Sequence, residues 1–151
     1  MQCNVINNPG FESGLDSWYS SATPNAIRVL TDQATYDGSS VLGVTTTSEN
    51  PEVRFTQDLY WLDDEKTHNL TVQVRLRDPP PTGGACTISA YLSDEWTDET
   101  SIAGGFTTSS DFWNTVTGTV QPTERDTVLN ILTYCSFDAE VLFDDVVFSD
   151  C

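Results

Sequence analysis

From position 140 to position 151 the chain reads EVLFDDVVFSDC. Val141 and Phe143 alternate with Leu142, so both faces of this stretch are apolar, which predicts a central strand buried between two layers. Elsewhere the alternation has one wet side. In 69–77, Val72, Val74 and Leu76 point one way, and Thr71, Gln73, Arg75 and Arg77 the other. In 85–92, Ile88, Ala90 and Leu92 share a face with Cys86, which turns Thr87, Ser89 and Tyr91 outward. Leu129, Ile131 and Phe137 likewise share a face with Cys135. Further extended runs are predicted at 27–30, 39–45, 52–59, 115–120, 127–135 and 141–148. Most are rich in Val, Ile, Thr and aromatics, and Pro, Gly, Asn or Asp separates them. The stretch DPPPTGG at 78–84 is a loop, and no amphipathic helix exceeds a turn or two. Eight or nine short strands in this length predict an all-β antiparallel sandwich or jelly roll. It forms one domain over 1–151, without internal repeat or linker.

Two carboxylates interrupt the closing strand. Asp144 and Asp145 sit inside an apolar run, and a buried carboxylate is costly unless it is paired, hydrogen-bonded or metal-bound. The rest of the charge is lopsided in the same direction, with 23 Asp and Glu against 6 Lys and Arg and a formal charge of −17. Such a field repels nucleic acid, anionic lipid and acidic polysaccharide, and attracts cations, Ca²⁺ among them. No run approaches the roughly 20 apolar residues that span a bilayer. Hydrophobic residues at 38% suffice for a core, and a chain of this length buries about two thirds of its unfolded surface.

Met1 is followed at once by Gln2 and Cys3, with neither a basic nor an apolar leader region. Four cysteines, a single lysine and the sequon Asn69-Leu70-Thr71 nevertheless point outside the cell. The chain therefore reads as a mature secreted glycoprotein with Met1 added for expression. Four cysteines allow three connectivities. Domain termini often lie together, and both inner cysteines face a core, so the expected bridges are Cys3–Cys151 and Cys86–Cys135.

Enzymatic readings fare poorly. Asp144 and Asp145 are neighbours on one strand and point to opposite faces, so they cannot flank a scissile bond. The acids at 94, 95, 98 and 99 lie on a loop that offers little preorganisation. His68, the only histidine, reads as a surface residue at a loop or strand start. No Gly-x-Ser-x-Gly or His-Glu-x-x-His motif is present.

The segments NPGFESGLDSW, YDGSSVLGV and VLFDDVVF resemble the carbohydrate-binding modules of the family 4, 9 and 22 type. FTQDLYWL followed by LTVQVRLR is similar to their paired strands, and FWNTVTGTV to their tryptophan strand. CTISAYL and LTYCSF bring the cysteine pattern closest to the secreted fungal branch, which also contains domains with no established ligand. The resemblance covers nearly the whole chain and implies a galactose-binding-like β-jelly roll. It also implies a structural Ca²⁺ joining the N-terminal segment to the last strand. Carried over residue by residue, its ligands are Glu12, Asp144 and a backbone carbonyl of the 38–40 turn, assigned to Ser40. A glycan is the implied partner, on the open face of one sheet. The outward candidates are Gln57, Arg75 and Tyr91, with Trp96 on the adjoining loop, where it either reaches ligand or folds back. Tyr60 and Trp61 form a second aromatic pair beside Asp63, Asp64 and Glu65. Trp18 and Trp113 are expected in the core. The acidic loops favour a neutral or cationic cell-wall polysaccharide over an acidic one, bound by a monomer or by one part of a larger secreted protein. A fungal cell-wall, surface or host-interaction protein that keeps the fold without the sugar site is the alternative reading.

Overall fold

The computed structural model describes residues 3–20, 23–60, 62–93, 101–107, 109–123 and 126–151. Among them run nine strands: β1 (Ile27–Leu30), β2 (Val41–Thr46), β3 (Glu52–Asp58), β4 (His68–Leu76), β5 (Cys86–Leu92), β6 (Ser101–Thr107), β7 (Asn114–Val120), β8 (Val128–Cys135) and β9 (Ala139–Ser149). They form a five-stranded sheet in the order β1-β2-β9-β4-β7 and a four-stranded sheet in the order β3-β8-β5-β6. Every pairing is antiparallel. The expected sandwich is therefore present. None of the described helical segments is long and apolar enough to cross a membrane.

β9 lies near the middle of its sheet because its Val141, Phe143, Val146 and Phe148 are all fully buried between the layers. The step from Phe143 to Val146 is odd, so strict alternation fails there. A bulge absorbs the extra residue: Gln73 pairs with Asp144 and Thr71 with Val147, leaving two β9 residues opposite Val72. Asp145 adopts φ 49° at this point. The Asp-Asp pair thus marks the place where the strand changes phase.

Four rings form the middle of the core. Phe11 meets Trp18 at 5.4 Å, Trp18 meets Phe55 at 5.5 Å, and Phe55 meets Phe143 at 4.9 Å between centroids. They link the N-terminal turn to β3 and then across to β9. Trp18 Nε1 donates to the Asn8 carbonyl at 2.9 Å, so its polar edge is satisfied in the interior.

Both expected disulfides are present, Cys3–Cys151 and Cys86–Cys135. Cys86 and Cys135 are direct register partners on β5 and β8, both fully buried.

The structure corrects three sequence-based placements. β6 was not foreseen, because Gly104-Gly105 erases the alternation in SIAGGFT. His68 is fully buried: β4 begins there, its even-numbered positions face inward, and the ring stacks on Phe148 at 5.1 Å. Trp113 leaves the inter-sheet core and instead covers a small cluster of Leu30, Val41 and Leu142.

Candidate functional site

The outer faces of the two sheets differ in what covers them. On the five-stranded sheet, the loop between β1 and β2 and the segment before β7 fold over the outward residues. Arg75 donates to the Ser110 carbonyl at 2.8 Å and the Ala34 carbonyl at 3.2 Å, and its guanidinium lies 5.4 Å from the Trp113 ring centroid. It is 9% exposed, its charge consumed in holding down two loops. Arg75 and Tyr91 therefore do not share a groove, since β4 and β5 belong to different sheets.

Gln57 also moves. It shares the inner side of β3 with Val53 and Phe55 and is 1% exposed. Its amide clamps the N-terminal segment, accepting from Asn7 N at 2.8 Å and donating to Asn7 O at 2.9 Å. A polar side chain in the core is tolerated here because both ends of its amide are satisfied.

The outer face of the four-stranded sheet is open in part, and register places its residues in rows. The first runs Glu52–Tyr134–Thr87–Phe106 from β3 to β6, the second Arg54–Leu132–Ser89–Gly104, and the third Thr56–Asn130–Tyr91–Ser101. The first row is exposed throughout, whereas Thr56, Asn130 and Tyr91 of the third are buried, so the Tyr91 ring is not the outward platform expected of it. A bridge between Tyr19 and Thr56 adds one more position to the third row. At the usual strand spacing that row is roughly 19 Å long, and Tyr134 and Phe106 stand about 10 Å apart with Thr87 between them.

Those two rings lie bare on a folded surface: Phe106 is 72% exposed and Tyr134 45%. Between the rows the floor is low, because a Cβ built on Gly104 would meet nothing within 4 Å. Arg54 Nη1 donates to Tyr91 Oη at 3.2 Å. Arg28 and Arg77 are held by Glu140, and Lys66 reaches Asp63 and Asp150. Arg54 is the remaining surface cation among the described residues, and no described carboxylate pairs with it. In so acidic a chain, a guanidinium left available amid exposed aromatics is suited to bidentate contact with ligand oxygens. Trp96, Trp61 and the acids at 94, 95, 98 and 99 lie outside the described residues. Tyr60 is 65% exposed and lines a depression of about 240 Å³ with Tyr19, Asp58 and Asn7.

The outward reading of Gln57 implied the wrong face for Arg54, whereas parity with Leu129, Ile131 and Cys135 already turned Leu132 and Tyr134 outward. That signal was in the sequence. Phe106 gave none, because its strand was hidden.

At the opposite sheet the acidic residues gather around two glycines. A Cβ on Gly10 would lie 3.7 Å from Asp144 Oδ1 and 4.0 Å from Glu12 Oε1, so both carboxylates flank this position. Asp144 is fully buried and accepts from the backbone N–H of Tyr36, Asp37 and Asp145, at 3.0, 3.0 and 2.8 Å. Burial, helped by the neighbouring Asp145 charge, still holds its pKa above the ordinary value. Burial and the Asp37 charge raise Asp145 as well. Glu12 accepts from Ser39 N at 2.7 Å, Ser39 Oγ at 2.8 Å and Ser40 N at 3.3 Å, and these bonds lower its pKa. Gly38, at φ 71°, makes the turn possible: a Cβ there would fall 1.9 Å from Glu12 Oε1. Three metal-ligating side chains come within 4.8 Å of one another only at Cys3, Asp150 and Cys151 among the described residues, where the two sulfurs are bonded to each other.

Comparison with known proteins agrees with this architecture. TmCBM61 in complex with β-1,4-galactotriose superposes with a TM-score of 0.74 at 16% identity, covering 99% of this chain and all of that one. The CBM22-1 xylan-binding domain from Paenibacillus barcinonensis Xyn10C gives 0.62 at 16% identity, over 93% of this chain and 90% of that one. The Clostridium thermocellum xylanase 10B CBM22-1–GH10 structure, complexed with xylohexaose, gives 0.71 at 14% identity; the match takes in 99% of this chain and 29% of that one. No curated protein matches the sequence significantly. The family model described as a carbohydrate binding domain, of the 4/9 type, matches residues 3–135. The chain belongs to that carbohydrate binding domain family.

Proposed function

We propose that the protein is a non-catalytic module that binds a neutral or cationic polysaccharide on the outer face of its four-stranded sheet. The observation that carries this reading is the row of two bare rings, Phe106 and Tyr134, beside the Arg54–Tyr91 pair. Aromatic faces accept the apolar faces of sugar rings, and the guanidinium and the exposed Thr87 supply edge contacts for hydroxyls. Anchors of this kind carry most of a binding energy, commonly 2 kcal/mol or more for each truncation. Tyr134→Ala and Arg54→Ala should each weaken binding at least about tenfold. Retention in gels cast with β-glucan, xylan, galactan or chitosan checks this. Binding by the parent that neither substitution changes would move the site elsewhere.

The same proposal includes a structural Ca²⁺. Glu12, Asp144 and the Ser40 carbonyl offer hard oxygen donors, the ligand type this ion takes. A fully buried carboxylate with neighbouring like charge and no described cationic side chain paired with it supports the assignment. A bound ion would supply positive charge and tie the N-terminal turn to β9. With free Ca²⁺ near 100 times its dissociation constant, the gain is about 2.7 kcal/mol, or on the order of 5–10 °C in Tm for a domain of this size. Chelator should reverse that gain, and Glu12→Gln or Asp144→Asn should abolish it. A calorimetric melt insensitive to both ion and chelator would remove calcium from this account.

Secretion, with the cell wall as destination, completes the proposal; two disulfides support it. Asn69 is exposed on the opposite sheet from the aromatic rows, so a glycan there would leave the binding face clear.

A further inference from the structure

The open face does not end at the edge of its sheet. Glu52, Arg54, Tyr91 and Leu132 wall a depression of about 140 Å³ whose remaining wall is Thr23. Thr23 also walls a second depression, of about 490 Å³, lined by Asn25, Arg28, Thr45, Thr47 and Asn50. That one in turn shares Arg28, Thr45 and Thr47 with a third, of about 380 Å³, which ends at Asp78, Asp138 and Glu140. The larger two lie within the usual volume range of small-ligand sites; hydroxyls, amides and a guanidinium line both, with carboxylates in the third.

The second depression has a fixed wall. Arg28 grips Glu140 through Nε at 3.0 Å and Nη2 at 3.2 Å, and Arg77 holds the same carboxylate at 2.7 Å. Gly43 makes room for it, since a Cβ there would lie 2.9 Å from Glu140 Oε2. Burial alone would raise the Glu140 pKa, but bonds from the two arginines outweigh it and hold the group ionised. The Arg28 side chain remains 57% exposed, with its Nη1 outside both bonds to Glu140.

We infer that the glycan surface continues from the Arg54–Tyr91 pair past Thr23 into the Asn25–Arg28–Thr47 depression, so that the module grips a long or branched neutral glycan along a track around the edge of the sandwich. This rests on the binding face proposed above. The track's far end carries Asp78, Asp138 and Glu140, which disfavours a uronic-acid chain and fits uncharged sugar units. Hydroxyl-rich walls without an aromatic platform suit edge contacts to units already held in place by the face, whose added cost of binding is low.

The test compares chain lengths. Trisaccharides and hexasaccharides of β-1,4-linked galactose and xylose are titrated calorimetrically into the parent, Asn25→Ala, Arg28→Ala and Arg54→Ala. The parent should favour a hexasaccharide over its trisaccharide by about tenfold, the effect of one or two hydrogen bonds. Asn25→Ala and Arg28→Ala should collapse that ratio towards one, whereas Arg54→Ala should weaken both lengths. Asn25 is exposed and takes no part in the Glu140 pairing, so its effect is separable from any loosening caused by Arg28→Ala. A parent without length preference, or a ratio unchanged in both track variants, overturns the track and leaves the face intact. Absence of binding to every oligosaccharide and to the polysaccharide gels overturns the face, and the track falls with it.

Discussion

Phe55→Ala should cost about 3–5 kcal/mol, as large truncations in close-packed cores do. At this chain length that lowers Tm by on the order of 10 °C. Phe55 is fully buried and touches rings on both sides, Trp18 from the N-terminal turn and Phe143 from β9. Removing it leaves a void between three elements that come from distant parts of the chain. Collapse is hindered because Tyr19 and Thr56 hold the turn to β3 through backbone bonds in both directions, at 3.1 and 2.8 Å. Those bonds belong to the third row of the outer sheet face, so the loss should extend beyond the rings themselves. Thermal and urea melting measure it. A shift of only a degree or two would mean that the four rings are not part of the cooperative core.

Removing the inner disulfide should have a comparable effect. Cys86 and Cys135 are separated by 49 positions, and the chain-entropy model assigns closure of such a loop about 4 kcal/mol. Cys86→Ala with Cys135→Ala should therefore lower the urea midpoint strongly under non-reducing conditions. A reductant should then have a smaller effect on this variant than on the parent. The bridge crosses β5 and β8 on the core side, next to Thr87 and Tyr134 on the outside. Its loss should loosen the row that carries the rings, and polysaccharide retention should fall with stability. An unchanged midpoint would show that the bridge contributes nothing to the folded state.

What the sequence disclosed follows from what is local. Alternation in β4, β5 and β8 is a property of each strand alone, and it sorted Val72, Ile88 and Ile131 inward without reference to any neighbour. The two chain ends announced themselves through paired features, a cysteine and a carboxylate near each. Sheet membership is different. Whether Arg75 and Tyr91 share a face depends on β4 lying between β7 and β9 while β5 lies between β8 and β6, and no residue on either strand encodes that. Gln57 was misread because its inward position is made tolerable only by Asn7, fifty positions earlier. Trp113 was misread because an apolar cluster formed on the outside of a sheet, under loops, where alternation alone assigns solvent. Tyr134 was legible by parity, and Arg54 would have been had Gln57 been placed inward with Val53 and Phe55. Arg54 also went unselected because an arginine without a described carboxylate partner can be recognised only once the other cations have been accounted for in space.

The bond between Cys3 and Cys151 turns the intervening polypeptide into a covalent ring. A protease that nicks it once, for instance in the proline-rich loop at 78–84, opens the ring and releases no fragment. The nicked product keeps its mass apart from one added water and migrates as a single species until reduced. Only a second cut can shed a piece, and one placed between Cys86 and Cys135 would still leave every part joined by the inner bridge.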